Sequence, residues 1–251
     1  MKSLQIFISI ITLGVSTITT AQNKNIKKLD QQGIQGYIRI KLSNKWMWSA
    51  DGGFRFNEMF KDPSYYIMRS GLNYQLNSHM KVTAGFAHLG FYTTKKLSKA
   101  EDRPYQEFSI TDKYGKCGIL HRFRIEERYF KGILNGSMQS GQTFNFRFRY
   151  QFRTNFEILK LSNGNAYPLL SLDLGDEIFI NAGKPIVYNV FDQNRFVAGP
   201  SVSFSKDFAI GMIYNNQFAA VDAPASYVHT NAFWLTIRQN FDISQHKKHH
   251  C

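Results

Sequence analysis

The segment 144–159, FNFRFRYQFRTNFEIL, places two kinds of chemistry on alternate residues. Its even positions are almost all aromatic or aliphatic, whereas the odd positions include Arg147, Arg149 and Arg153. Guanidinium groups bind carboxylates and phosphates through charge-assisted hydrogen bonds. Successive side chains of a β-strand point to opposite faces. The segment therefore predicts a long strand with one oily face and one face that can form ion pairs or bind anions.

The segment 121–130, HRFRIEERYF, repeats this separation, since its arginines and Glu126 alternate with Phe123 and Ile125. Within a bilayer, backbone polar groups must be paired internally, so exposed sheet is stable there only as a closed barrel. Alternate side chains of a barrel strand then face lipid and lumen. One arginine on the lipid face at mid-bilayer costs about 2–4 kcal/mol, so the arginines are predicted to face the lumen.

The same alternation assigns faces along the rest of the chain. The predicted lumen-facing charged residues are Arg69, Glu107, Arg122, Arg124, Glu126, Arg128, Arg147, Arg149, Arg153, Glu157, Asp173, Glu177, Arg195 and Arg238. The predicted lipid-facing residues are Phe123, Ile125, Phe144, Phe146, Phe148, Tyr150, Phe152, Phe156, Phe233, Leu235 and Ile237.

Two functions of the charged lumen remain open at this point. Arginine and glutamate side chains can interleave as a salt-bridge network that plugs the barrel in place of a hydrophobic core. Alternatively, the lumen is a narrow, anion-preferring pore or binding cavity, because rings of arginine favour anions.

A third function, hydrolysis of acyl chains or peptides at the outer membrane, requires a nucleophile within hydrogen-bond reach of a base. His88, His121 and Ser109 are the candidate residues, but they form no ordered Ser/His/Asp motif. Asp176 and Glu177 are adjacent in one strand and therefore point to opposite faces. We predict that the protein is not an enzyme and has no catalytic residues, no metal site and no cofactor.

The elements that position these residues are read from alternation, β-branched and aromatic bias, and turn residues. Eleven segments read as strands: 33–42, 46–57, 65–76, 80–92, 104–114, 119–130, 142–159, 167–180, 194–205, 208–218 and 231–241. Short and long connections alternate between them, and the stretch 93–103 is among the long ones. This rhythm is typical of an outer-membrane barrel with short periplasmic turns.

Single-chain bacterial barrels have an even number of strands. We therefore predict an all-β fold, a single antiparallel up-and-down transmembrane barrel of twelve strands, with ten as the next choice. Residues 24–32 could contribute the additional strand. The main rival is a soluble, lipocalin-like barrel or sandwich that buries the aromatic face.

The predicted domain organisation begins with a signal peptide over residues 1–21, where Lys2 precedes a short apolar stretch and Ala21 precedes the cleavage site. An N-terminal segment over residues 22–32, a barrel over residues 33–243 and a disordered tail over residues 244–251 follow. The two cysteines of the chain, Cys117 and Cys251, do not indicate a disulfide scaffold.

The formal charge of +13 raises the question of an anionic partner. Nucleic acid is not the expected partner, because the protein is predicted to be exported and because its charges are spread along the strands. We predict instead outer-membrane lipids and lipopolysaccharide as partners, together with the barrel-insertion machinery during assembly. The final strand ends in Phe241, as in the signal that this machinery reads. The predicted location is the bacterial cell outer membrane.

Several short segments, taken in their order, resemble the Domain of Unknown Function 2490 family. They are EDRPYQEF, HRFRIEERYF, FRFRYQFR, GDEIFIN, FDQNRFVAGPSVSFSKDFAIGMIYNNQF and FWLTIRQNF. The shared features are an acidic residue with arginine in the strand 119–130, an Arg-rich following strand, the pair Asp176–Glu177 and the step Asn194–Arg195. The resemblance covers about Gly33 to Phe241. It implies an outer-membrane β-barrel and brings no reaction, ligand or catalytic residue.

Overall fold

A computed structural model describes residues 24–244, and these residues form a closed β-barrel. The strands are β1 (Asn25–Lys41), β2 (Trp46–Asn57), β3 (Asp62–Gln75), β4 (Met80–Thr93), β5 (Lys96–Tyr114), β6 (Cys117–Leu134), β7 (Ser137–Met138), β8 (Thr143–Lys160), β9 (Leu169–Ala182), β10 (Phe191–Ser203), β11 (Phe208–Ala220) and β12 (Ser226–Asp242). Within this part of the chain, no helix is long and apolar enough to cross a membrane. The predicted signal peptide and all but Ser244 of the predicted tail lie outside the described residues.

The barrel wall consists of eleven strands, because β7 pairs only with the end of β6 and lies outside the ring. Neighbours along the chain pair in antiparallel fashion, and β8 follows β6 in the wall. The ring closes where β1 pairs with β12 in parallel, from Asn25 beside Ser226 to Lys41 beside Asp242. The sheet is therefore mixed, with one parallel pair.

The strand directions define two rims, which are named here by the terminus each carries. The N-terminal rim holds the start of β1 and the connections at 58–61, 94–95, 135–142, 183–190 and 221–225. The C-terminal rim holds the end of β12 and the connections at 42–45, 76–79, 115–116, 161–168 and 204–207. The two ends of the described chain thus lie at opposite rims.

The prediction of twelve barrel strands was wrong, whereas each of the eleven segments found in the sequence corresponds to one wall strand. Residues 25–32 do not form a strand of their own but extend β1 toward the N-terminal rim. An odd number of alternating strands makes the first and last run in the same direction. A parallel closing pair is the geometric result, so the fold is not purely antiparallel.

The predicted alternation of short and long connections was also wrong. Most of the stretch 93–103 belongs to β5, and only Thr94 and Lys95 connect β4 to β5. Both residues have positive φ, as in tight hairpin turns of the kind that match strand twist. The longest C-terminal-rim connection, 161–168, matches 183–190 at the other rim in length. Loop length therefore does not distinguish the two rims.

Candidate functional site

The lumen is the candidate functional site, because it collects the arginines of the chain. All twelve arginines lie at the inward-facing positions of their strands: Arg39, Arg55, Arg69, Arg103, Arg122, Arg124, Arg128, Arg147, Arg149, Arg153, Arg195 and Arg238. Seven carboxylates form ion pairs with them: Asp51, Glu101, Glu107, Glu126, Asp173, Glu177 and Asp192. The inner face therefore carries an excess of positive charge.

Glu126 is the centre of the largest network, and its side chain is fully buried. On β8, Arg147 Nη2 and Arg149 Nη1 each lie 2.5 Å from a carboxylate oxygen of Glu126. Arg103 and Arg124 approach the same carboxylate at 3.6 Å from either side. Cross-strand neighbours lie about 4.5–5.5 Å apart between Cβ atoms, so alternation along β5, β6 and β8 brings these groups together.

The network continues from Glu126 in two directions. Arg149 bridges to Glu177, which also holds Arg122, each at 2.7 Å. Toward the N-terminal rim, Glu101 accepts hydrogen bonds from Arg103 and Arg128, and Asp192 lies 3.0 Å from Arg147. Glu107 completes the network by accepting two hydrogen bonds from Arg124.

Two smaller charge clusters lie apart from this network. Arg69 contacts Asp51 at 2.8 Å, and Asp51 also accepts a hydrogen bond from Gln35. Asp173 is shared by Arg153 at 3.6 Å and Arg238 at 3.8 Å, which are long distances for an ion pair. Asp173 has a closer contact with Ser201, whose hydroxyl donates a hydrogen bond to the Asp173 carboxylate at 3.0 Å.

Two further arginines stack on aromatic rings instead of pairing with carboxylates. The guanidinium carbon of Arg55 lies 4.0 Å from the ring centre of Trp234, and that of Arg195 lies 5.4 Å from the same ring. Arg195 also lies 5.1 Å from the buried ring of Phe179. Cation–π contacts between desolvated groups are worth about 2 kcal/mol, so they offset part of the desolvation cost.

The outer wall carries the apolar side chains. Nine of the eleven predicted lipid-facing residues are at least 37% exposed, and Phe144 and Phe156 are half-buried. Aromatic rings pack against each other across strands, as Phe123 does with Tyr150 at 4.9 Å between ring centres. The wall thus presents rings outward and guanidinium groups inward.

Polar residues interrupt the outer wall on the half nearer the N-terminal rim, where they bond to each other. Asn194 donates to Asp176 at 2.8 Å across β9 and β10. Across β11 and β12, Tyr214 donates to Asn231 at 2.7 Å. These pairs mark the edge of a mainly apolar belt that extends from there toward the C-terminal rim and includes the polar side chains of Ser70 and His121.

The candidate residues for hydrolysis do not assemble as a nucleophile with its base. Ser109 is buried in the lumen and donates to Glu107, whereas His88 lies on the outer wall. His88 contacts Asp102 at 2.8 Å and the hydroxyl of Tyr66 at 3.1 Å, an arrangement that the sequence did not suggest. His121 also lies on the outer wall.

The lumen has one cavity at each rim. At the N-terminal rim, a cavity of 260 Å³ is lined by the connection 183–190 and by Lys99, Arg128 and Asp192. At the C-terminal rim, a cavity of 140 Å³ is lined by Tyr37, Arg39 and Arg238 among others. The two cavities share no lining residue, and the Glu126 network lies between them.

Of the residues predicted for the lumen network, Glu157 lies at the C-terminal rim, where it pairs with Lys113 at 2.5 Å. The other thirteen predicted residues face the lumen. The inward charges that were missed include Arg39, Asp51, Arg55, Glu101, Arg103 and Asp192, together with the lysines Lys81 and Lys99. Spacing could have identified Glu101 and Arg103, since both share parity with Glu107 on β5.

Among residues 24–244, no group of three or more His, Cys, Asp or Glu side chains is arranged to hold a metal ion. No curated protein and no solved structure matches the chain. One family model, described as "Protein of unknown function (DUF2490)", matches residues 34–228, from the middle of β1 into β12. The match spans most of the chain and all residues of the network centred on Glu126. The protein therefore belongs to the DUF2490 family.

Proposed function

We propose that the protein is an outer-membrane β-barrel whose lumen is closed by the Arg–Glu network centred on Glu126. The observation that carries the proposal is the division of the wall, with all twelve arginines inside and exposed aromatic rings outside. In water, exposed apolar patches of a monomer seldom exceed a few hundred Å². A belt of rings such as Phe148 and Phe233, both more than 40% exposed, is better suited to acyl chains.

Lipids of the outer membrane and lipopolysaccharide are the proposed partners of this wall. The paired polar residues near the N-terminal rim, such as Asp176 with Asn194, would lie at the headgroup level on one side. On the other side, Trp46 packs against Tyr74 at 4.7 Å, as in the aromatic girdle of a barrel at the interface. The barrel-insertion machinery would assemble the protein, and the role is structural or binding rather than catalytic.

Closure of the lumen is supported by burial. Glu101 and Glu126 are 0% exposed, and Arg103, Arg147 and Arg149 are at most 6% exposed. Barrels of about eight strands are filled by their own side chains, whereas sixteen or more leave a channel. Eleven strands lie between these limits, and long arginine side chains that reach across the interior fill the additional space.

Membrane placement is tested by fractionation of the expressing cells, followed by gel electrophoresis with and without boiling. The protein should require detergent for extraction and should migrate differently after boiling, because folded barrels resist detergent in the cold. Recovery of compact protein in the aqueous fraction would instead support the soluble barrel.

Closure is tested separately by single-channel recording on the purified protein in planar bilayers. A closed lumen should give no stable conductance steps. Reproducible anion-selective conductance steps would contradict a closed lumen and support the pore alternative. The proposed membrane placement would be unaffected.

A further inference from the structure

The cavity at the C-terminal rim has a lining with a net positive charge, because it contains three cationic side chains and one carboxylate, that of Asp207. It is bounded by Tyr37 and Arg39 on β1, by Arg238 and Asn240 on β12, and by residues around the connection 204–207, among them Lys206 and Asp207. In the parallel pair, Arg39 lies directly beside Asn240, and Tyr37 lies beside Arg238. Two guanidinium groups from the closing strands therefore line one wall of the same cavity.

These cations lack adequate carboxylate partners. Arg39 forms no side-chain ion pair within residues 24–244; Arg238 and Arg153 act on it electrostatically as like charges, and Glu107 acts on it as an opposite charge without direct contact. Arg153 and Arg238 share only Asp173, at 3.6 and 3.8 Å. The buried Nε atoms of both have no hydrogen-bond partner in the described part of the chain. Buried N–H donors without partners are rare in folded proteins and call for an explanation.

Small side chains lie beside Arg238 in the wall of the cavity. Ala209 and Ser203 are register partners on β11 and β10, and Ala209 pairs with Arg238. Deeper in the lumen, Gly211 pairs with Ser201 in the same two strands. The cavity of 140 Å³ is several times the roughly 30 Å³ that one water occupies in the liquid. Hydroxyl groups and guanidinium groups that face a cavity of this size suit a tetrahedral oxyanion.

We infer that the cavity at the C-terminal rim binds a phosphate group, with Arg39 and Arg238 as its principal ligands and Lys206 and the hydroxyls of Ser203 and Ser205 beside them. The phosphate is either free in solution or carried on a lipid headgroup, since both present the same oxyanion. The site lies on one side of the closed network and does not require passage through the lumen. The inference does not depend on membrane placement, because the cavity belongs to the folded barrel itself.

The test uses isothermal titration calorimetry on the purified full chain, in detergent if the fractionation experiment requires it. Inorganic phosphate is titrated in low-chloride buffer in one arm, and a short-chain phosphatidylglycerol below its micellar concentration in the other. Binding in the first arm indicates free phosphate as a ligand, and binding in the second arm alone indicates a headgroup. We expect saturable binding in at least one arm.

The variants Arg39→Gln and Arg238→Gln should each weaken that binding about tenfold or more, since each removes a charge-assisted contact. Lys116→Gln is the matched control, because it removes one positive charge from the same rim at a residue that does not line the cavity. Boiled and unboiled gel mobility verifies that each variant is folded. If the Arg39→Gln variant does not fold, the Arg238→Gln variant still tests the site. Absence of binding in both arms, or equal binding by both arginine variants and Lys116→Gln, would overturn the inference.

Discussion

Glu126 shows why single residues matter in a lumen made of charges. A carboxylate removed from water loses several kcal/mol of hydration, and Coulomb attraction restores this only when its partners are close and well oriented. Glu126 has Arg147 and Arg149 in direct contact, with two further guanidinium groups at 3.6 Å. The same interior made of apolar side chains could be equally stable. The network therefore specifies which residues meet more than it adds stability.

Replacing Glu126 with glutamine should lower the free energy of unfolding by about 3–5 kcal/mol, because it removes the buried carboxylate that Arg147 and Arg149 share and leaves them only Asp192 and Glu177 as counter-charges. The measurement is urea unfolding followed by tryptophan fluorescence. Glu157→Gln is the matched control, because its pair with Lys113 lies at the rim, where the lysine side chain is 61% exposed. We expect the control to cost at most about 1 kcal/mol. Equal costs for the two variants would contradict a buried network.

Individual strands were predictable where both faces carry a clear signal. In β6 and β8, rings alternate with charges, and the two segments 121–130 and 144–159 were placed and oriented correctly. The part of β5 before Pro104 was predicted as a loop because the outward-facing Asp102 interrupts the apolar half of the pattern there. For the same reason, Glu101 and Arg103 were not predicted to face the lumen. Alternation of apolar and polar side chains therefore identifies a strand only where the outward-facing side chains are apolar.

The outward face of β8 provides a test of what surrounds the barrel. Phe148→Arg should destabilise a barrel in lipid vesicles by about 2–4 kcal/mol if this face meets acyl chains. On the surface of a soluble protein, the same change would usually stay within about 0.5 kcal/mol. Ile26→Arg is the control, because Ile26 is also 44% exposed but lies at the N-terminal rim of β1. Unfolding titrations in vesicles compare the two, and similar small costs would argue against lipid contact.

Closure of the whole barrel was not predictable from the strand patterns. The eleven segments were visible in the sequence, but the general preference of bacterial barrels for even numbers favoured a twelfth. No local pattern records that β1 and β12 pair in parallel, because that pairing joins residues about 200 positions apart, such as Lys41 and Asp242. The lumen partners are non-local in the same way. The sequence shows which residues face inward, whereas only the closed ring shows which carboxylate meets which arginine.

The position of the chain ends tests both the strand number and the membrane placement. Protease sites inserted just before Lys24 and just after Ser244 should be cut on opposite sides of the membrane, so intact cells should lose only one of them. A third site in the connection 135–142, at the N-terminal rim, should behave like the site before Lys24. Cleavage of both terminal sites under the same condition would contradict an odd-stranded spanning barrel.

The parallel pairing of β1 with β12 also limits how this chain can be rearranged. Circular permutation succeeds in many proteins because their chain ends lie close together at the surface. Here the end of β12 and the start of β1 are separated by the full height of the wall. A linker that joined them would have to pass through the lumen, past its buried guanidinium and carboxylate groups, or along the apolar exterior. We expect permuted genes of this barrel to fail unless one wall strand is deleted or duplicated, which would bring old and new ends to a common rim.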